Sequence, residues 1–111
     1  MKLKQIVKDL NLSVLLGKAL LDREVTGGYA GDMLSDVLSH AGKGNVWVTM
    51  QIHPNVMAVA TSRDLSAIIL VNGRKPEAET LKKAEQKKIP ILVSSWSTYQ
   101  VVGRLYELGI K

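Results

Sequence analysis

The side chains able to do chemistry gather in four short segments, residues 27–32, 51–55, 72–76 and 94–98. Each reads as a turn between a strand and a helix, where free N–H groups at a helix N-terminus can face an anion. Within these segments Gly27, Gly28 and Gly73 permit close backbone approach, Arg74 and Lys75 bring positive charge, and Asn72, Ser94, Ser95, Ser97 and Thr98 bring hydrogen bonds. Such a set suits a phosphate or a carboxylate. Turns use Gly, Asn, Ser and Pro for geometry and capping as well, so the same segments also read as plain connections. The candidate ligand-binding residues are Gly27, Gly28, Asp32, His53, Asn72, Gly73, Arg74, Ser94, Ser95 and Thr98.

Catalytic signatures are absent. The run Gly27-Gly28-Tyr29-Ala30-Gly31-Asp32 lacks the Lys and Ser/Thr of a phosphate-binding P-loop and the downstream acid of a dinucleotide fingerprint. Asp32 and Asp36 share one side of an expected helix and could face a metal, yet Asp32 reads equally as its N-cap and Asp36 as solvated surface. His53 precedes Pro54 in a candidate loop without an acidic or nucleophilic partner, and Ser35, Asp36 and His40 lie on one helix with no oxyanion loop. With no Cys, disulfides, thiolate-bound zinc, iron–sulfur clusters and thiol catalysis are excluded. No catalytic residue, metal or cofactor is expected.

The elements that must position these residues alternate. Residues 2–10 carry the stripe Leu3, Ile6, Val7, Leu10 of a short helix, and 13–16 read as a strand. An extended run at 24–26 is expected to end at the glycines. Asp32 then caps a helix with Met33, Leu34, Val37 and Leu38 on its apolar face. From there the rhythm is regular: strands at 46–50, 67–71 and 89–93, and helices from Pro54 through Ala60, from Pro76 to Lys88, and from Ser95 or Ser97 through Leu108. Continuous apolar runs alternating with amphipathic helices predict right-handed βαβ units. The expected fold is α/β, a mostly parallel or mixed sheet flanked by helices, with 1–111 as a single domain.

Length and charge bound the function. A chain of 111 residues has material for one core, and no apolar run approaches the roughly 20 residues of a membrane helix; the expectation is a soluble, cytoplasmic protein. The net charge of +5 invites a nucleic-acid reading. Much of it lies in 74–88, where Lys residues alternate with Glu77, Glu79 and Glu85 at ion-pair spacing such as Glu79 to Lys83, and where no aromatic residue interleaves to stack on bases. A solvated helix face is expected there, not a nucleic-acid partner. Met50, Ile52, Met57 and Trp47, near expected surface loops, point to self-association.

The stretch 67–76, with Ile89-Pro90-Ile91-Leu92-Val93 and the closing Gly103-Arg104-Leu105-Tyr106, resembles the DRTGG domain over nearly the whole chain. In that family's layout an Asp-Arg pair follows the strand ending here at Met50, and Thr-Gly-Gly follows the strand ending near Leu70. Residues 51–55 and Val71-Asn72-Gly73 stand in those places, and only Gly73 matches. A second pairing, Asp22-Arg23 with Thr26-Gly27-Gly28, carries the letters at other positions. The resemblance implies a fold similar to the N-terminal domain of HPr kinase/phosphorylase. It also implies a non-enzymatic regulatory or assembly module that homodimerises, binds a small anion such as a nucleotide, and serves a protein partner the sequence does not identify. The alternatives are a phosphotransferase-related enzyme, whose chemistry in HPr kinase belongs to a separate P-loop domain, and a nucleic-acid-binding protein.

Overall fold

Apolar runs too short for helices and buried on both sides must pair as strands and be covered on both faces. The computed structural model describes residues 1–111 and meets that demand with α1 (Leu3–Asp9), β1 (Ser13–Leu16), a 3₁₀ turn (Lys18–Leu20), β2 (Gly27–Ala30), α2 (Leu34–His40), β3 (Asn45–Thr49), α3 (Val56–Ser62), β4 (Ala67–Leu70), α4 (Ala78–Lys87), β5 (Ile91–Val93) and α5 (Thr98–Glu107). The five strands form one mixed sheet in the order β1-β5-β4-β3-β2. Strands β2 to β5 are parallel, with Trp47 opposite Ile68 and Ile69 opposite Leu92; β1 joins the β5 edge antiparallel. No helix is long and apolar enough to cross a membrane.

Alternation along the strands divides the core in two. Val46, Val48, Ile69 and Leu92 pack against Leu3 and Ile6 of α1 and Val101 and Leu105 of α5. Trp47, Ile68, Leu70 and Ile91 pack on the other face against Val37, Met57, Ala60 and Ala84 of α2, α3 and α4. Neighbouring side chains of one strand therefore enter different cores, as the period of two requires.

The structure corrects several expectations. Residues 24–26 contribute only an isolated bridge between Glu24 and Lys2, and the strand lies one step later, in the glycines themselves. A Cβ at Gly27 would sit 2.8 Å from the Lys111 carbonyl oxygen, so the glycine admits a close backbone neighbour rather than breaking the strand. Trp47 and Met57 are core, not surface: Trp47 is fully buried and its indole Nε1–H donates to the Gly31 carbonyl at 2.9 Å. Neither Pro54 nor Pro76 lies inside its helix; α3 and α4 each begin two residues later. Along α4 no Lys reaches a Glu within ion-pair distance, so the Glu79–Lys83 pair does not form.

Gly27→Ala is expected to destabilise the fold by about 1–3 kcal/mol, the usual cost of forcing an extra methyl into a filled space. Urea unfolding measures it, and an unchanged midpoint would mean that the Lys111 backbone is free to yield.

Candidate functional site

The helices that follow β2, β3 and β4 all pack on one face of the sheet, whereas α5, following β5, packs on the other. The connections leaving the carboxyl ends of β4 and β5 therefore diverge to opposite faces. That is a topological switch point, the place where open α/β sheets bind their ligands. Of the candidate residues, Asn72, Gly73 and Arg74 follow β4, and Ser94, Ser95 and Thr98 follow β5, so six share the two diverging connections.

Backbone hydrogen bonds clamp these connections together. Asn72 N–H donates to the Trp96 carbonyl and Gly73 N–H to the Ser94 carbonyl, both at 2.8 Å. The clamp needs positive φ at two consecutive residues, 55° at Asn72 and 63° at Gly73. For Asn72 that conformation costs about 1–2 kcal/mol, which two backbone bonds of about 0.5–1.5 kcal/mol each offset. Ser94 is buried, and its Oγ accepts from Trp96 N–H at 3.0 Å. Ser97 caps α5 in a reciprocal pair with Gln100. The Gly73 amide, expected to face an anion, is thus spent on Ser94. The donors left open include the Ser95, Thr98 and Lys75 N–H groups, which have no acceptor in the chain, with the exposed Arg74 and Lys75 side chains, which pair with no carboxylate.

The other candidates stand apart or serve the framework. Gly27 and Gly28 begin β2 opposite Asn45 and Val46, near the amino end of the sheet, and do not join the switch point. Asp32 does not cap α2, whose N-cap is Met33. Its Oδ1 instead accepts from Thr49 Oγ at 2.9 Å and Met50 N–H at 2.8 Å, while Gln51 Nε2 donates to its carbonyl, lashing the β2 and β3 exits together. Met50 Sδ, 3.5 Å from Asn72 Nδ2, extends the contact toward the switch point. His53 is at the same end of the sheet, but its Nδ1 accepts from Asn55 N–H at 3.1 Å and shapes the turn into α3. The Asp22-Arg23 and Thr26-Gly27-Gly28 letters serve the opposite end, where Arg23 donates to the Ser66 and Lys88 carbonyls and Thr26 Oγ to the Lys43 carbonyl.

One polar cluster was not foreseen. Tyr29 Oη donates to Asp36 Oδ2 at 2.6 Å, and His40 Nδ1 lies 3.1 Å from Asp36 Oδ1 with its ring stacked near that of Tyr29. Asp36 and His40 are legible as an i,i+4 pair; the third member becomes visible only once residues 27–30 are read as a strand. The cluster ties α2 to the edge strand and holds no group of three metal-ligating side chains, nor does any other part of the chain.

The family model of the DRTGG domain matches residues 5–108. No curated protein matches the chain by sequence. Among solved structures, the chain is similar to the CBS and DRTGG domains of the regulatory region of a Clostridium perfringens pyrophosphatase, complexed with its activator diadenosine tetraphosphate. The TM-score is 0.68 at 11% identity, over 94% of this chain and 45% of that one. At that identity the likeness is one of fold, and the chain spans less than half of the protein it matches.

The Asp36 carboxylate accepts the Tyr29 proton and disfavours a phenolate beside it, holding the Tyr29 pKa above the ordinary 10.0. A raised acid pKa contributes stability that is present below pH 10.0 and is lost as pH rises through the higher folded value. Alkaline ultraviolet titration should show the Tyr29 phenol ionising above pH 10.0. In Asp36→Asn that ionisation should move down toward pH 10.0; an identical curve in both proteins would show the hydrogen bond to be absent in solution.

Proposed function

The chain belongs to the DRTGG domain family, and from that premise we propose that residues 1–111 act as one regulatory module that homodimerises and binds a small anion, a nucleotide polyphosphate by preference, without turning it over. The observation that carries the reading is the switch point between β4 and β5, where Arg74, Lys75 and the Ser95 N–H stand open beside a clamped backbone. A clamped loop with unpaired cations presents a fixed positive surface, and each oriented donor favours an anion at low reorganisation cost. The nucleotide preference draws on the activator of the Clostridium perfringens pyrophosphatase region, itself an adenine dinucleotide carrying four phosphates.

A binding role fits the side chains better than a catalytic one. Both imidazoles are engaged by neighbouring turn or helix groups, and the buried Ser94 hydroxyl lies against a backbone N–H rather than a general base. An open surface of two cations and a few hydrogen-bond donors senses a ligand. Neither of its cations has a base or nucleophile beside it to make it part of a catalytic constellation.

The test is thermal unfolding with ATP, diadenosine tetraphosphate and inorganic phosphate. At a hundred times its dissociation constant a ligand stabilises the fold by about 2.7 kcal/mol, readily seen as a shift in Tm. The shift is expected with a polyphosphate and should vanish in the Arg74→Ala, Lys75→Ala double variant. Failure of all three ligands to shift Tm, or an equal shift in the double variant, would contradict the proposed site.

A further inference from the structure

We infer that the exposed face of α5 is where a second copy of this chain docks, antiparallel and two-fold symmetric about Gly103; this rests on the homodimer in the reading above and names its surface. Gly103 sits inside a ten-residue helix, where glycine is among the poorest helix formers. Nothing within the chain requires it: a Cβ built there has no heavy atom within 4 Å. Of the two glycines in β2, Gly27 has a backbone neighbour that excludes a side chain and Gly28 lies against Ile110 and Val46, whereas Gly103 has open solvent. A glycine at the outermost point of an exposed helix suits close approach by another backbone.

The residues around it are those of an interface. Tyr99 is 90% exposed and Tyr106 58%, large aromatic surfaces of the kind enriched in contacts between proteins. At 100° per residue they flank Gly103 on one side, while Gln100 and Glu107 flank it on the other. Tyr99, Gln100, Gly103 and Glu107, together with Trp96 and Arg104, whose guanidinium lies 5.7 Å from the Trp96 ring, line a shallow groove of about 360 Å³, and Tyr106 stands beside it with the Lys111 ammonium 5.5 Å from its ring.

The groove is complementary to itself. A two-fold axis through Gly103, perpendicular to the helix, keeps each flank facing the same flank of the second copy and reverses its direction. Residue numbers that add up to about twice 103 then lie side by side. Tyr99 meets Tyr106 of the second copy, aromatic against aromatic, and Gln100 meets Glu107 of the second copy, amide donor against carboxylate. Arg104, tilted toward the N-terminus as helical side chains are, adds its charge near that same Glu107. The groove lining carries one cation and one carboxylate, so two copies of it meet without net repulsion, while Lys111 adds a cation on the Tyr106 flank. The larger groove between α3 and α4, lined by Lys83 and Lys87 with no carboxylate, would set like charges against each other.

Sedimentation equilibrium of the full chain at micromolar concentration tests this. The wild type should be a dimer, and Gly103→Leu and Tyr99→Glu should each weaken dimerisation by about tenfold or more with an unchanged circular dichroism spectrum. Gly103→Ala should separate the two roles, keeping or raising the Tm of the dilute chain while weakening its dimer. Should Gly103→Leu fail to fold, Tyr99→Glu decides, since its side chain is almost wholly in solvent. A dimer of undiminished affinity in these variants would overturn the α5 surface and leave the homodimer standing. A wild type that stays monomeric would overturn the homodimer itself, and the α5 surface with it.

Discussion

Burial on both faces of β3, β4 and β5 is the constraint from which the rest of this fold follows. Val46 and Val48 alternate with Trp47, and Ile69 alternates with Ile68 and Leu70, every one of them excluded from water. Burying such side chains is worth about 1.5–3 kcal/mol each, so neither face can remain uncovered. Three helices in sequence cover one face. The other must be covered by α1, which precedes the sheet, and α5, which follows it. For α5 to reach that face, the chain leaving β5 must turn away from the path taken by α2, α3 and α4. The switch point is thus a consequence of two-sided burial, and the place where a ligand can approach is set by packing before any ligand is considered.

Polar groups then decide how rigid that place is. Asp32 joins the β2 and β3 exits through Thr49 and Met50, and the Asn72-Gly73 amides join the β4 exit to the β5 exit. Exposed loops are commonly the least stable part of a domain. Here four exits are braced by bonds that cross between them, while Arg74, Lys75 and the Ser95 N–H are left without partners. A regulatory surface benefits from that division, since a fixed backbone with open donors loses little entropy when an anion arrives.

Much of this was legible in the residues. The runs at 46–50, 67–71 and 89–93 read as buried strands because Val and Ile leave little else for them to be, and parallel pairing followed from the helices between them. The strand at 13–16 was legible too, though not its antiparallel place beside β5. The glycines at 27 and 28 were not, because glycine reads as a breaker unless the backbone packed against it is known; missing β2 in turn hid Tyr29 from Asp36. Trp47 looked like surface for its closeness to a turn, and only the strand register sends it inward. Asp32 has the type and place of an N-cap, and its diversion to Thr49 and Met50 depends on a neighbour 17 residues away. The candidate residues on 72–74 and 94–98 were found by their types. That their two connections diverge could not be, because an amphipathic stripe says that a helix packs on a sheet and not on which face.

The central claim, that the divergence between β4 and β5 is where this module receives its ligand, is tested most directly by amide chemical-shift mapping during titration with diadenosine tetraphosphate. The amides of residues 72–75 and 95–98 should move first and saturate together, with Gly27, Gly28 and the α3–α4 surface unmoved. Saturable shifts centred on Gly27 and Gly28, or spread over the lysines of α4 with none at Lys75 or Ser95, would contradict it.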